Sequence, residues 1–560
     1  VDRLRASLGV PAAVCELLVR RGHATPEAAR AFLRPSFEAL HPPDQLPDML
    51  AAVERIEAAI RSREGILVHG DYDADGLASA ALLTRALREL GARVEPFVPH
   101  RLRDGYDLGP AGLARAREVG AGLILTADCG VSAADAVDEA GRSGLDVIVT
   151  DHHRPPPRLP EAVAVVNPAR EDAIYPFRGL AGVGVAFKLL QALYGRRGIK
   201  PERLNRHLDL VALGTVADLV PLVDENRVLV RAGLGALSRT RKPGLRALAR
   251  TAGVDLQGPP ASSDIGFRLG PRLNAAGRIG AALTGLQLLL ADEGDEAERL
   301  AALLEGRNRE RQREDRRVQA EAEVRLAERY DPERDRSVLL WGEDWHPGVI
   351  GIVASRLVDR IHRPVVLVSL RDEPARGSGR SIPGFHLHEA LEACADLLER
   401  FGGHRMAAGL EVRRERLEAL ARRLEEEAVR RLGREEPVPE LAVDLSLELG
   451  DVDEGLLRSL EHLAPFGTGN PRPVLHARDV RLERAAAVGS GGAHLKAVLA
   501  DGAGARLEAI GFGMGDRVRE ASAGVPVEVV FELLRDRFRG RERLQARLVD
   551  FRRADGSGRP

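Results

Sequence analysis

Between Val68 and Ala80 the chain reads VHGDYDADGLASA, which sets Asp71, Asp73 and Asp75 at alternate positions directly after an apolar run. Carboxylates crowded in this way repel one another unless a positive charge lies between them. Two further clusters also close apolar runs: Asp128 follows AGLILTA, and Asp151, His152 and His153 follow LDVIVT. Strand C-termini on one edge of a parallel sheet meet at a shared crevice, so residues far apart in sequence become neighbours there. The species these clusters predict is a pair of divalent metal ions bridged by a carboxylate. Such a pair makes a nucleophile near neutral pH and clamps a phosphoryl oxygen during in-line displacement. Mixed carboxylate and imidazole ligands suit manganese better than calcium, and the three cysteines, Cys15, Cys129 and Cys394, have no zinc-site spacing. One aspartate triplet alone reads as readily as a turn or helix cap; three clusters at three strand ends favour the metals.

The elements that must position these groups alternate. Leu50, Val53, Ile56 and Ile60 keep helical spacing, GILVHG is a short apolar strand, and Leu83, Leu87 and Leu90 mark the next helix. Further strands in RVEPFVPH, AGLILTADCG, LDVIVTDHH and AVAVVNP predict an α/β fold with a doubly wound parallel sheet. The expected order is an N-terminal helical segment over 1–50, a catalytic domain over 51–290 and a long connecting helix over 291–330. A second, smaller α/β domain follows over 331–435, and short strands separated by glycine over 436–560 predict a β-barrel.

A formal net charge of −2 excludes a uniformly basic nucleic-acid binder, so any such surface is local. No lysine follows a glycine, which excludes a Walker A loop and an ATP-driven motor. The opening VDRLRASLGV has no apolar signal core and no apolar run reaches membrane-spanning length, so a cytoplasmic protein without a membrane partner is expected.

DYDADG together with DHH resembles the DHH phosphoesterase family. The longer strings HGDYDADG, TADCG, VTDHH, RLNAAGRI, WHPGVIGIVASRL, SGR, FGGHRMAAGL and PFGTGNP are similar to its single-strand-specific 5′-to-3′ DNA exonucleases. That resemblance implies metal ligands at Asp73, Asp75, Asp128, His152 and Asp218, with His69 a further ligand and Asp128 the bridge. It gives Asp71 the task of orienting a ligand or a water, and His153 that of a transition-state or leaving-group partner. Two ions are implied, manganese ahead of magnesium. The second domain, DHH-associated, would supply phosphate contacts from Ser378, Arg380, Gly402, Gly403 and His404, through backbone N–H groups and a guanidinium fork. Arg272, Asn274 and Arg278 would guide the strand, with Arg101 and Arg103 as weaker contacts; helix caps and surface ion pairs are the plain alternatives.

The resemblance makes the C-terminal barrel an OB-fold that grips single strands by charge and base stacking. Residues 535–553 carry eight arginines against three acidic residues, with Phe531, Phe538 and Phe551 the aromatics nearby. The expected partner is single-stranded DNA, with a single-stranded-DNA-binding protein and a helicase delivering it to a monomer during recombination and repair. The rival reading is a DHH phosphoesterase for short oligonucleotides or cyclic dinucleotides, against which the barrel argues.

Overall fold

The computed structural model describes residues 1–101, 103–278, 282–433, 435, 437–538 and 541–554. Three short helices, α1 (Asp2–Leu8), α2 (Ala12–Arg20) and α3 (Pro26–Leu33), precede α4 (Met49–Ser62). A parallel sheet then forms from β1 (Gly65–Gly70), β2 (Arg93–Phe97), β3 (Ala121–Ala127), β4 (Asp146–Thr150) and β5 (Ala164–Val166), in the order β2-β1-β3-β4-β5. The helices between them are α5 (Ala74–Glu89), α6 (Pro110–Glu118) and α7 (Ala134–Arg142), and α8 (Gly182–Arg196) follows β5.

β1 is buried along its whole length because helices cover both faces. Ile66 and Val68 pack with α4, α5 and α8, whereas Leu67 packs with Leu113 of α6 and Val137 of α7. The helix Leu208–Ala217 is mostly apolar and buried as far as Val216, and its C-terminal end delivers Asp218 to the strand edge.

A single helix of 36 residues, Gly294–Arg329, ties two cores together. Ala297, Leu300, Ala301 and Leu304 belong to the first core, and Val318, Ala322 and Leu326 to the second. The second core lies on β6 (Val338–Gly342), β7 (Val365–Ser369), β8 (Ala375–Arg380), β9 (Arg400–Gly403) and β10 (Ala407–Val412), in the order β6-β7-β8-β10-β9. Only its β6–β7 pairing is parallel.

The C-terminal strands are β11 (Leu445–Ser446), β12 (Leu475–Val488), β13 (His494–Ala500), β14 (Arg506–Gly511), β15 (Val527–Phe538) and β16 (Arg541–Arg553). Pairing of β12 with β15 closes five of them into a barrel, with β11 attached to β12. The N-terminal helices are part of this unit: Leu4, Val14, Leu17 and Phe32 share its core with Leu475, Val529 and Phe551. Among the described residues no helix is long and apolar enough to cross a membrane.

Candidate metal centre and facing cleft

Asp73 caps α5, its Oδ1 accepting from the N–H groups of Asp75 at 2.9 Å and Gly76 at 3.0 Å. Residue 76 must be glycine, because a Cβ there would lie 2.6 Å from the Asp71 backbone. Asp75 accepts from Gly182 N–H at 2.7 Å and Val183 N–H at 3.1 Å, at the start of α8. Asp128 sits at the end of β3 with φ 66°, a left-handed turn that swings its carboxylate toward the same point. Gly182 makes room for it, since a Cβ would fall 2.4 Å from Asp128 Oδ1.

Ligand atoms converge in three overlapping sets: Asp71, Asp73 and Asp128; Asp75, His152 and Asp218; and Asp128, His152 and His153, each within 4.8 Å. His152 Nε2 lies 3.1 Å from Asp128 Oδ1 and 3.6 Å from Asp218 Oδ2. Asp128 belongs to two of the three sets, as does His152.

Burial and mutual repulsion raise the pKa of Asp71, Asp75 and Asp128 well above the carboxylate range, and that of Asp218 to about 7. Three buried atoms aimed into the cluster, Asp71 Oδ1, Asp128 Oδ1 and His152 Nε2, have no hydrogen-bond partner. Unsatisfied carboxylate and imidazole donors around a shared point fit a pair of hard divalent cations, manganese or magnesium.

Asp151 has a different task. Its Oδ1 accepts from the His152 and His153 N–H groups, and from His153 Nδ1 at 2.7 Å; Oδ2 accepts from Val131 N–H at 3.0 Å. Burial works against the His153 cation, but the Asp151 hydrogen bond outweighs it and lifts the imidazole to about 9. The sequence reads Asp151 with His152 and His153 as one cluster of potential metal ligands, because a carboxylate that aims a histidine looks the same as one that binds a metal. Sequence reasoning passes over Tyr106, half-exposed and edge-on to His153 at 6.2 Å and to Tyr72 at 6.1 Å. Arg101 lies 5.0 Å over the Tyr72 ring, and its charge reaches both Asp71 and His346 of the second domain.

Several expected residues stand elsewhere. His69, expected as a ligand, joins none of the three sets. It shares the β1 face of Leu67, and its ring is enclosed by Phe97, Cys129 and Gly112 of α6 on the side away from α5. Asp71, expected to orient a ligand, is itself within ligand distance. Arg103 pairs with its neighbour Asp104 at 2.8 Å. Arg272, expected to guide the strand, is paired with Glu305 at 2.8 Å and donates to the Arg268 carbonyl at 2.7 Å. Asn274 instead accepts from Ala74 N–H at 2.7 Å and so positions the α5 start. The Arg278 side chain lies outside the described residues.

On the second domain, Arg380 donates to Ser378 Oγ at 3.1 Å and to the Gly379 carbonyl at 2.8 Å, and among the described residues no carboxylate pairs with it. Both side chains approach Gly351 at the start of the helix Ile350–Ile361, where a Cβ would lie 2.8 Å from each. A helix N-terminus, a hydroxyl and an uncompensated guanidinium make an anion site. Gly403 has φ +139°, and a Cβ would meet the Ala407 carbonyl at 2.5 Å, so the β9–β10 hairpin itself requires glycine. Gly402 and His404 are exposed in that hairpin.

The arginines of 535–553 are partly neutralised: Arg535 pairs with Glu461 at 3.1 Å, Arg547 with Glu532 at 2.6 Å and Arg552 with Glu528 at 2.7 Å. Phe531 and Phe551 are core residues, and the Phe538 side chain lies outside the described residues.

Comparison with known proteins places these parts together. Residues 65–215 match the DHH family N-terminal domain, 336–430 the DHHA1 domain and 443–550 the RecJ OB domain. The single-stranded-DNA-specific exonuclease RecJ of Bacillus subtilis is 38% identical over 552 residues, 98% of this chain and 69% of the relative. That of Escherichia coli is 38% identical over 533 residues, 92% of each. The crystal structure of RecJ in complex with Mn2+ from Thermus thermophilus superposes with a TM-score of 0.84 at 34% identity, covering 99% of this chain and 77% of the other.

Proposed function

Because the chain belongs to the RecJ family, we propose that it is a metal-dependent exonuclease specific for single-stranded DNA. It works 5′ to 3′ and releases 5′-mononucleotides in recombination and repair, a polarity that rests on the family. The observation that carries the reading is the convergence of Asp71, Asp73, Asp75, Asp128, His152 and Asp218, with Asp128 common to two of the sets.

Bound at these residues, two divalent ions, manganese ahead of magnesium, supply an activated water and neutralise charge on the phosphoryl oxygens. The chain's own groups do the rest. The start of α8 fixes Asp75, and the α5 N-terminus fixes Asp73. Asp151 holds His153 protonated with Nε2 free to donate toward the leaving oxygen. Across the cleft, Ser378 and Arg380 hold a strand phosphate, and Arg101 meets the backbone on the metal side. Residues 51–290 carry catalysis, 331–435 the phosphate contacts and 436–560 the grip on the polymer. A single-stranded-DNA-binding protein and a helicase deliver the strand to a cytoplasmic monomer.

Turnover of a long single strand and of a dinucleotide, each in manganese with an EDTA control, tests the assignment. The long strand should be degraded in a metal-dependent way. Exclusive turnover of the dinucleotide would replace this reading with a short-oligonucleotide phosphoesterase.

A further inference from the structure

Toward the C-terminal end of α8 the fold leaves a cavity of about 760 Å³, enclosed by the chain before α4, by α4 itself, by α8 and by residues 199–205. That volume suits a ligand or an anchoring side chain. The start of α8 holds Asp75, whereas Ala192, which lines the cavity, stands about 15 Å further along the helix, so the cavity is no part of the metal site. Met49, Val53, Phe187 and Leu204 give it a buried apolar wall.

Two large apolar side chains that line it stay in water, Phe37 at 43% exposure and Leu50 at 63%. They come from separate elements, the turn Phe37–Ala39 and the first turn of α4, so the apolar surface continues outside the cavity. Gln191 Oε1 is buried in the same lining and accepts no hydrogen bond among the described residues. An acceptor left unpaired in this way is costly, and a donor entering the cavity satisfies it.

The charges in the lining are Asp44, Arg196 and Glu202. Arg196 is engaged by Glu54 and by Glu57, each at 3.2 Å. Asp44 and Glu202 are exposed, and among the described residues neither forms an ion pair; the charge of Asp44 reaches buried Lys188, which Glu225 already holds at 2.9 Å. Exposed Glu38, Lys200 and Arg203, adjacent in sequence to the lining but outside it, are of both signs. The lining itself therefore favours a cation.

We propose that this cavity docks an amphipathic helical segment of a partner protein, which inserts a tryptophan beside Gln191 and presents lysine or arginine to Asp44 and Glu202. Indole supplies a large apolar body together with one N–H donor for Gln191 Oε1. A helix laid over the opening also covers Phe37 and Leu50, which a small molecule inside the cavity leaves in water. An acidic segment would meet two uncompensated carboxylates. The inference is independent of the nuclease reading.

The test is fluorescence anisotropy of a labelled helical peptide of about 15 residues, built from leucine, lysine and one tryptophan, with the full chain in manganese so that the carboxylate cluster is occupied. Replacing the peptide's tryptophan with alanine, or its lysines with glutamate, should weaken binding about tenfold or more. Ala192→Trp, which fills the cavity, should do the same while thermal unfolding shows the chain still folded. The surface pair Asp44→Lys with Glu202→Lys should reverse the preference, so that the glutamate peptide binds better. Failure of the lysine peptide to bind below about 1 mM, equal affinity for the lysine and glutamate peptides, or binding that both altered chains leave unchanged would overturn the proposal. A chain that sediments as a dimer and becomes monomeric on Leu50→Lys would also overturn it, by giving the face to a second copy.

Discussion

The backbone N–H of Leu222, just past Asp218, donates to the carbonyl of Thr468 at 2.7 Å. PFGTGNP thereby ties the entry to the barrel onto the edge of the metal cluster. Gly469, with φ +72°, lets the loop approach Pro221, whose Cβ would lie 3.0 Å from an added side chain. Asn470, fully buried, donates to the Leu463 and Pro465 carbonyls at 2.8 Å each and accepts from Arg21 at 2.6 Å. Asn470→Ala leaves those partners unsatisfied and should cost roughly 2–4 kcal/mol in chemical denaturation. It should also lower manganese affinity, because the loop steadies the segment after Asp218. Unaltered stability would mean that the loop is merely adjacent.

The carboxylate cluster stores repulsion until cations bind. Asp128→Asn removes one negative charge, so the metal-free protein should gain roughly 1–2 kcal/mol while stabilisation by manganese largely disappears. The pH dependence has a definite sign. Burial, then Asp73, raises the folded-state pKa of Asp218 to about 7. Its contribution is therefore present in full below the unfolded value near 4 and is lost as pH rises toward about 7. Thermal unfolding in EDTA across that window should show stability falling with pH, and manganese should offset the fall.

Asp151 acts through His153. Asp151→Asn should lower kcat about 10- to 100-fold with little change in KM, and His153 should titrate lower by NMR. A change in KM alone would place Asp151 in strand binding instead.

Among the described residues no carboxylate pairs with Arg380, which donates to Ser378 and the Gly379 carbonyl. Arg380→Gln should raise KM for a 5′-phosphorylated strand about tenfold or more, and should do less to a strand ending in a hydroxyl. Equal effects on both would mean that Arg380 holds an internal phosphate of the strand and not the terminal one.

Lys188 and Glu225 are both fully buried and meet at 2.9 Å, with Tyr175 also donating to Glu225. Lys188→Met strands the Glu225 charge and should cost about 3–5 kcal/mol in urea denaturation. Lys188→Met with Glu225→Gln should recover part of it.

The alternation of strands with helices and the three acidic clusters are legible in the sequence because each cluster follows an apolar run. The placement of His69 is not: β1 is buried on both faces, so no polar alternation reveals which side a residue takes. The sequence leaves the partner of Arg272 open, because Glu305, which pairs with it, lies on a helix distant in sequence. The union of the N-terminal helices with the barrel core depends in the same way on contacts between the chain's two ends, such as Arg21 with Asn470. Local pattern carries no record of such pairings. The arginine count in 535–553 misleads for a related reason, since its acidic partners Glu454 and Glu461 come from another element.

The central claim is most directly tested with one single-stranded DNA oligonucleotide, labelled at either end and digested in manganese beside the Asp128→Ala protein. The account predicts immediate release of a labelled mononucleotide from the 5′ end, a shortening ladder from the 3′-labelled strand, and no cleavage by the variant. A surviving long strand, or full activity in Asp128→Ala, would contradict it.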